Sequence, residues 1–383
     1  MRESHRSRSR VSILSLLLVG ASLSYMVLGT GDPAFGLFKK GKKKGPSMTM
    51  NGVPVPGLHA WTMGHGKRDN PPDRLGGPLT VTVTQKDGST RWVLPGPRFL
   101  DPSVFGTPKN PVGFDPAPFP LLGVPLEMRG TSGGNYTFAN HATPFSNWRE
   151  VGVGSIRMKV VDATAVDGAR TKDTVDFEAT FESPDKKHQY RVTAGKAIPH
   201  GMAYPFFGGV VTNHLLHGAT GIGTRLMPTE FTYAGFWAVG DIYRDGELVN
   251  PKHMIHVMVT EVVRGSGYNL DFDGKVGDPP TGMTLHLMVP AYAPGPRGLQ
   301  PKPVKTGYVP FPAIKKHMQA AMKKASSLPP DQMKKKMAVL EKVKKLMDET
   351  KAHVMEEMQA GRMDGQPFFH VMFGNLEVSA EGR

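Results

Sequence analysis

Residues Lys252–Arg264 read KHMIHVMVTEVVR. The stretch lacks glycine and proline, and its core is β-branched or long apolar residues. That is the composition of a buried β-strand. Its central triplet, His256-Val257-Met258, returns as His286-Leu287-Met288 and again as His370-Val371-Met372. Side chains alternate across a strand, so each histidine shares a face with its methionine. If the three strands are neighbours in register, three imidazoles and three thioethers lie on one face, with His253 and Met254 at its end.

Outward from this stretch the chain continues in strand-and-turn language. Leu79–Gln85, LTVTVTQ, alternates strictly, and Asp87-Gly88 predicts a hairpin into Thr90–Leu94. Ser155–Asp162, Thr174–Glu182 and Lys187–Thr193 predict an antiparallel meander with one wet face. Its turns fall at Asp167-Gly168 and Ser183-Pro184-Asp185. Asp245-Gly246 predicts a further hairpin within Ile242–Val249. With Gly 45 and Pro 34 in 383 residues, long loops are abundant. The expectation is a mainly β chain: an antiparallel β-sandwich or open barrel with long Gly/Pro-rich loops, rather than an α/β plan.

One segment departs from this pattern. AIKKHMQAAMKKASS, after Pro312, reads as a helix, Leu328-Pro329-Pro330 breaks it, and Asp331–Ala360 reads as a longer helix. Met333, Met337, Leu340, Val343, Met347, Val354 and Met358 form one apolar stripe, opposite Lys335, Lys336, Lys342 and Lys345. The expectation is a basic helical hairpin, residues 311–365, inserted between the main β-domain (79–310) and a final strand with its tail (366–383). An exposed stripe of this kind would invite a protein partner or anionic lipid.

A basic N-terminus precedes the 19 uncharged residues Val11–Gly29, so residues 1–29 read as a signal peptide or an N-terminal membrane anchor. The body is then expected outside the cytoplasm: periplasmic, secreted to an extracellular space, or anchored. Residues 30–78 read as a basic, Pro/Gly-rich linker in which Lys39, Lys40, Lys42, Lys43 and Lys44 can touch anionic headgroups. The formal charge of +14 collects at the N-terminus, in this linker and in the helical segment. No aromatic-and-arginine stripe reads nucleic acid. The chain has no cysteine, which excludes disulfides, thiolate metal sites and cysteine catalysis.

Imidazole and thioether together suit copper, and thioether favours Cu(I). The candidate metal ligands are therefore His256, Met258, His286, Met288, His370 and Met372. A second candidate site surrounds the apolar segment 200–241: His200, His214, His217, Glu230 and Asp241 could do acid–base work. His214 and His217 would share a face only on a helical turn, and they lack the glutamate and spacing of a zinc protease. Gly218–Thr224 matches no phosphate loop. Asp271–Asp278 is too incomplete for a calcium loop, and Asn135-Tyr136-Thr137 is a glycosylation sequon.

Three functions follow as expectations. The first is an exported or membrane-anchored binding protein that takes copper through the His-x-Met strands. The second is an assembly protein docking through its helices. The third is a hydrolase or lyase centred on residues 200–241.

Overall fold

The computed structural model describes residues 49–50, 53–54, 78–85, 88–94, 96–98, 100, 102–111, 129–132, 135–143, 148–163, 172–198, 209–216, 230–262, 283–290, 292–295, 298–361 and 369–382. Its strands begin with β1 (Thr49–Met50), β2 (Val53–Pro54), β3 (Leu79–Gln85), β4 (Ser89–Val93), β5 (Gly96–Arg98), β6 (Arg129–Ser132) and β7 (Asn135–Thr143). Next come β8 (Arg149–Asp162), β9 (Thr174–Glu182), β10 (Gln189–Ala197), β11 (Val210–Leu216), β12 (Glu230–Arg244) and β13 (Glu247–Val262). The last are β14 (Thr284–Val289), β15 (Tyr292–Gly295), β16 (Gly298–Pro301), β17 (Phe369–Phe373) and β18 (Leu376–Gly382). Helices are α1 (Pro102–Phe105), α2 (Phe311–Ser326) and α3 (Pro330–Gln359).

The chain is mainly β, and eight antiparallel strands close into a barrel rather than the expected sandwich or open barrel. Their order is β8-β4-β17-β14-β13-β12-β10-β9, and β9 pairs back onto β8. Closure leaves these eight strands with no open sheet edge along the ring. It requires close approach at Gly154, which pairs with Phe181 on β9. A Cβ there would stand 2.4 Å from the Thr180 carbonyl oxygen and 2.6 Å from Thr90 Cγ2. Nothing in the local alternation of the strands distinguishes a sheet that closes from one that folds into two layers.

Two long strands are shared between partners. On one edge of β8, Arg149–Val153 pairs with β4 and Arg157–Asp162 with β3. Thus β3 and β4 do not form the expected hairpin; they run end to end along β8. Gly88, at φ +75°, makes a kink instead of a reversal. Gln85 Nε2 straps the kink by donating to the carbonyls of Ser89 and Gly374. On β12, Glu230–Phe236 pairs with β11 and Ala238–Arg244 with β10. The β8–β9–β10 meander and the β12–β13 hairpin at Asp245-Gly246 are present. Both turn residues take positive φ, +53° and +88°, as a two-residue hairpin turn with matching twist requires. The last segment is two strands, β17 inside the barrel sheet and β18 outside it against β3.

The barrel core is aromatic. Trp92 lies 5.2–5.7 Å, centroid to centroid, from Phe181, Tyr190, Tyr308 and Phe369. The Trp92 indole N–H is satisfied by the Glu182 carbonyl at 2.8 Å. Val257, Val259, Leu285, Leu287, Val371 and Phe373 supply the same core from the His-x-Met strands. Val304, Thr306 and Tyr308 are buried as the chain leaves β16, and the Tyr190 hydroxyl donates to the Thr306 carbonyl.

The helical segment is one bent helix, not the expected hairpin. Pro329, at ψ 148°, ends α2 after Ser327, and Pro330 starts α3 where its missing N–H costs nothing. Phe311, Ile314 and Met318 of α2 join the barrel core cluster. His317 stacks on Trp148 and lies 2.8 Å from a Glu150 carboxylate oxygen. The α3 helix packs on β7 and β5, and Leu340, Val343, Met347 and Val354 are buried. The middle of the apolar stripe is therefore occupied by the protein itself, with Met333, Met337 and Met358 half-buried.

Candidate functional site

Burial divides the barrel wall into two kinds. Along β8, β9 and β10 the outer face is wet and the burial alternates. Every residue of β14 and β17, and His253–Glu261 of β13, is buried on both faces. The His-x-Met triplets lie in this second region, on the face opposite Val257, Leu287 and Val371.

The register brings all six side chains into one patch. His256 on β13 is opposite Met288 on β14, which is opposite His370 on β17. In the adjacent row Met258 is opposite His286, which is opposite Met372. Histidine and methionine thus alternate along both rows. Directly opposed side chains in such ladders have Cβ atoms about 4.5–5.5 Å apart.

Two imidazoles meet at the centre. His286 Nδ1 lies 2.9 Å from His370 Nε2, with ring centroids 5.0 Å apart. The far nitrogen of His286, Nε2, is 3.0 Å from Thr284 Oγ1. In the neutral pair one ring nitrogen donates and the other accepts. Arg149 Nε donates to the sulfur of Met372 at 3.5 Å, so a guanidinium closes one side of the patch.

His256 is engaged differently. Its ring stacks on Trp237 with centroids 4.0 Å apart and planes at 10°. Its Nδ1 donates to the Phe236 carbonyl at 2.9 Å, which places the lone pair on Nε2. Burial pushes its pKa down to about 3, against the opposing pull of that carbonyl. His256 is therefore a neutral imidazole at any physiological pH. Met254 shares its face, but His253 turns to the other face, where Nε2 donates to the Pro290 carbonyl at 2.6 Å. Burial holds His253 down to about 4.

Among the described residues no three histidine, aspartate or glutamate side chains converge as a metal centre. The expected three-imidazole cluster is thus two imidazoles with thioethers around them. Thr284 and Thr260 extend the alternating pattern by one position beyond His286 and Met258, and that spacing could have announced them. Nothing in the local sequence marks Trp237 or Arg149 as neighbours.

Of the second candidate site, Glu230 and Asp241 are not brought together. Glu230 opens β12 and Asp241 lies eleven residues further on, roughly 30 Å or more along a strand at ~3.3 Å per residue. Glu230 is buried beside Thr260, whose hydroxyl donates to it at 3.5 Å. Burial pushes its carboxyl up to about 8, opposed by Thr260 and by the charge of Arg149. Asp241 faces an open groove of about 370 Å³ with Arg157, Asp176 and Lys252. There its Oδ1 accepts the Lys252 backbone N–H at 2.8 Å, steadying a residue at φ +51°. His214 is on β11, a strand rather than the helical turn on which it would share a face with His217. His200 and His217 lie outside the described residues, as do the N-terminal segment, Lys39–Lys44, Gly218–Thr224 and Asp271–Asp278.

No family model matches the chain, and neither does any curated protein or solved structure.

Proposed function

We propose that the protein binds Cu(I) through His286 and His370, with thioether sulfur from Met258, Met288 or Met372 completing the coordination. The observation that carries this reading is the 2.9 Å approach of the two imidazole nitrogens inside a ring of methionines. Two nitrogens each ~2.0 Å from one tetrahedral ion stand about 3.3 Å apart, so the two rings need part by only about 0.4 Å, giving up the hydrogen bond between them, to hold one ion. Thioethers are soft, uncharged donors that suit Cu(I) and leave hard divalent ions unsatisfied. Burial excludes water, which protects the reduced ion. His256, held by Trp237 and a carbonyl, borders the site as a positioning residue for Met288, its cross-strand neighbour. The N-terminal basic and uncharged segments fit an exported or membrane-anchored binding protein.

The test is a competitive Cu(I) titration of the whole chain under reducing conditions, with thermal melts alongside. His286→Ala and His370→Ala should each weaken affinity by at least about a hundredfold, or ~2.7 kcal/mol. His256→Ala should weaken it far less. A wild type that cannot compete with a micromolar chelator would end this reading. So would folded His286→Ala and His370→Ala variants that bind as wild type does.

A further inference from the structure

The bent helix carries a dense run of lysines. Residues 311–360 hold eleven lysines and no arginine. The six acidic residues of this segment are unevenly placed. Five, Glu341, Asp348, Glu349, Glu356 and Glu357, lie in the second half, where Lys344 pairs with Asp348 at 2.6 Å and Lys345 with Glu349 at 4.0 Å. Around the bend, residues 323–336 hold Lys323, Lys324, Lys334, Lys335 and Lys336 against Asp331 alone, five positive charges to one negative. Lys323, Lys324, Lys334 and Lys335 are exposed. Burial, and then the neighbouring charge of Lys324, lower the Lys336 pKa. The bend thus brings the last turn of α2 and the first turns of α3 into one self-repelling cationic patch.

We propose that this patch docks the protein on an anionic lipid bilayer. The docking is electrostatic: Leu340, Val343, Met347 and Val354 of the α3 stripe are buried within the protein, and Met333 and Met337 beside the patch are half-buried. The partner's chemistry follows from what the patch lacks. Lysine ammoniums are point charges, without the planar fork that arginine offers to phosphates and base edges. The segment's one Phe, Tyr or Trp is Phe311, which is buried, so no stacking platform for single-stranded nucleic acid is presented. Protein-interface hot spots are enriched in tryptophan, tyrosine and arginine, and residues 311–360 hold none of the three. A headgroup layer needs only charges within a Debye length, ~8–10 Å. The inference is independent of copper and of the His-x-Met face.

The experiment is vesicle flotation of the full chain. Phosphatidylcholine vesicles are compared with the same vesicles containing about a third phosphatidylserine. Any binding by the uncharged N-terminal stretch appears equally in both, so the difference isolates charge. Wild type should bind the anionic vesicles at least tenfold more tightly, and ~0.5 M salt should abolish the difference. The quadruple variant Lys323→Gln, Lys324→Gln, Lys334→Gln, Lys335→Gln should lose most of that difference with its melting temperature unchanged. Lys→Arg at the same four positions should retain it. The proposal is overturned if the quadruple Gln variant keeps the full difference, which would assign it to Lys39–Lys44. It is overturned equally if wild type ignores phosphatidylserine, or if a single-stranded oligonucleotide binds this patch more tightly than the vesicles do.

Discussion

His286 Nδ1 stands 2.9 Å from His370 Nε2, diagonally across the β14–β17 ladder, while the Cα partner of His286 is Met372. The contact joins residues 84 apart in sequence. It occurs where both faces of the barrel wall are buried, so each imidazole must find its partners within the protein.

Removing one ring should therefore be felt even without metal. His370→Ala takes away a buried ring and leaves His286 with a polar nitrogen facing a cavity. The expected loss is about 2–4 kcal/mol of unfolding free energy, read as a lower urea midpoint at unchanged slope. An unchanged midpoint would show that the pair contributes nothing to the fold.

Acid should destabilise the protein through His256 and His253. Burial pushes their pKa values down to about 3 and about 4, below the ordinary value of 6.5. Between these values the unfolded chain binds protons that the native protein refuses, so stability falls as pH drops below ~6.5. Each group adds a slope of up to ~1.4 kcal/mol per pH unit. Glu230 acts on the other side. Its native pKa of about 8 exceeds the ordinary 4.5, so stability is highest below the ordinary value and is lost as pH rises to about 8. In urea melts across pH 4–9, His256→Gln should flatten the acid limb and Glu230→Gln should flatten the alkaline one. Limbs identical to wild type in both variants would contradict these assignments.

Barrel closure should depend on Gly154. A methyl group there meets the Thr180 carbonyl at 2.4 Å, which is backbone and cannot turn aside. Gly154→Ala should cost at least about 3 kcal/mol, at the high end of overpacking effects. Gly195→Ala, whose Cβ meets nothing within 4 Å, is the control and should be near neutral. Equal stability of the two variants would mean that the β8–β9 seam yields easily.

The bent helix should be indispensable. Replacing Phe311–Gly365 by a short glycine linker exposes the core that Phe311, Ile314, Met318, Val343 and Met347 cover. Circular dichroism should then show no cooperative melt. A deletion variant that melts like the parent would make the helix an appendage.

Much of the local structure was legible. The buried strand over residues 252–262, the meander after Ser155 and the Asp245-Gly246 turn all stand in the fold. The parity of each His-x-Met triplet was legible too. It predicted one shared face if the strands were adjacent, and the strands are adjacent. The Asp87-Gly88 hairpin failed for an instructive reason. An Asp-Gly pair encodes a positive φ, and a positive φ serves a kink as well as a reversal. Which one results depends on whether β3 finds β4 or β8. Similarly, the stripe on α3 was visible as a face, but not what covers it.

The sequence by itself determined the strand character of residues 252–262 and of the meander, the helical character of residues 311–360, and which side chains share a face there. These follow from backbone dihedrals and side-chain periods that act over a few residues. Only the tertiary structure decided that the sheet closes, that the middle of the helix stripe is core, and that His286 meets His370 while His256 meets Trp237. Those outcomes depend on accumulated twist and on burial among residues far apart, such as Gln85 and Gly374, separated by 289 positions. No window of a few residues contains that information.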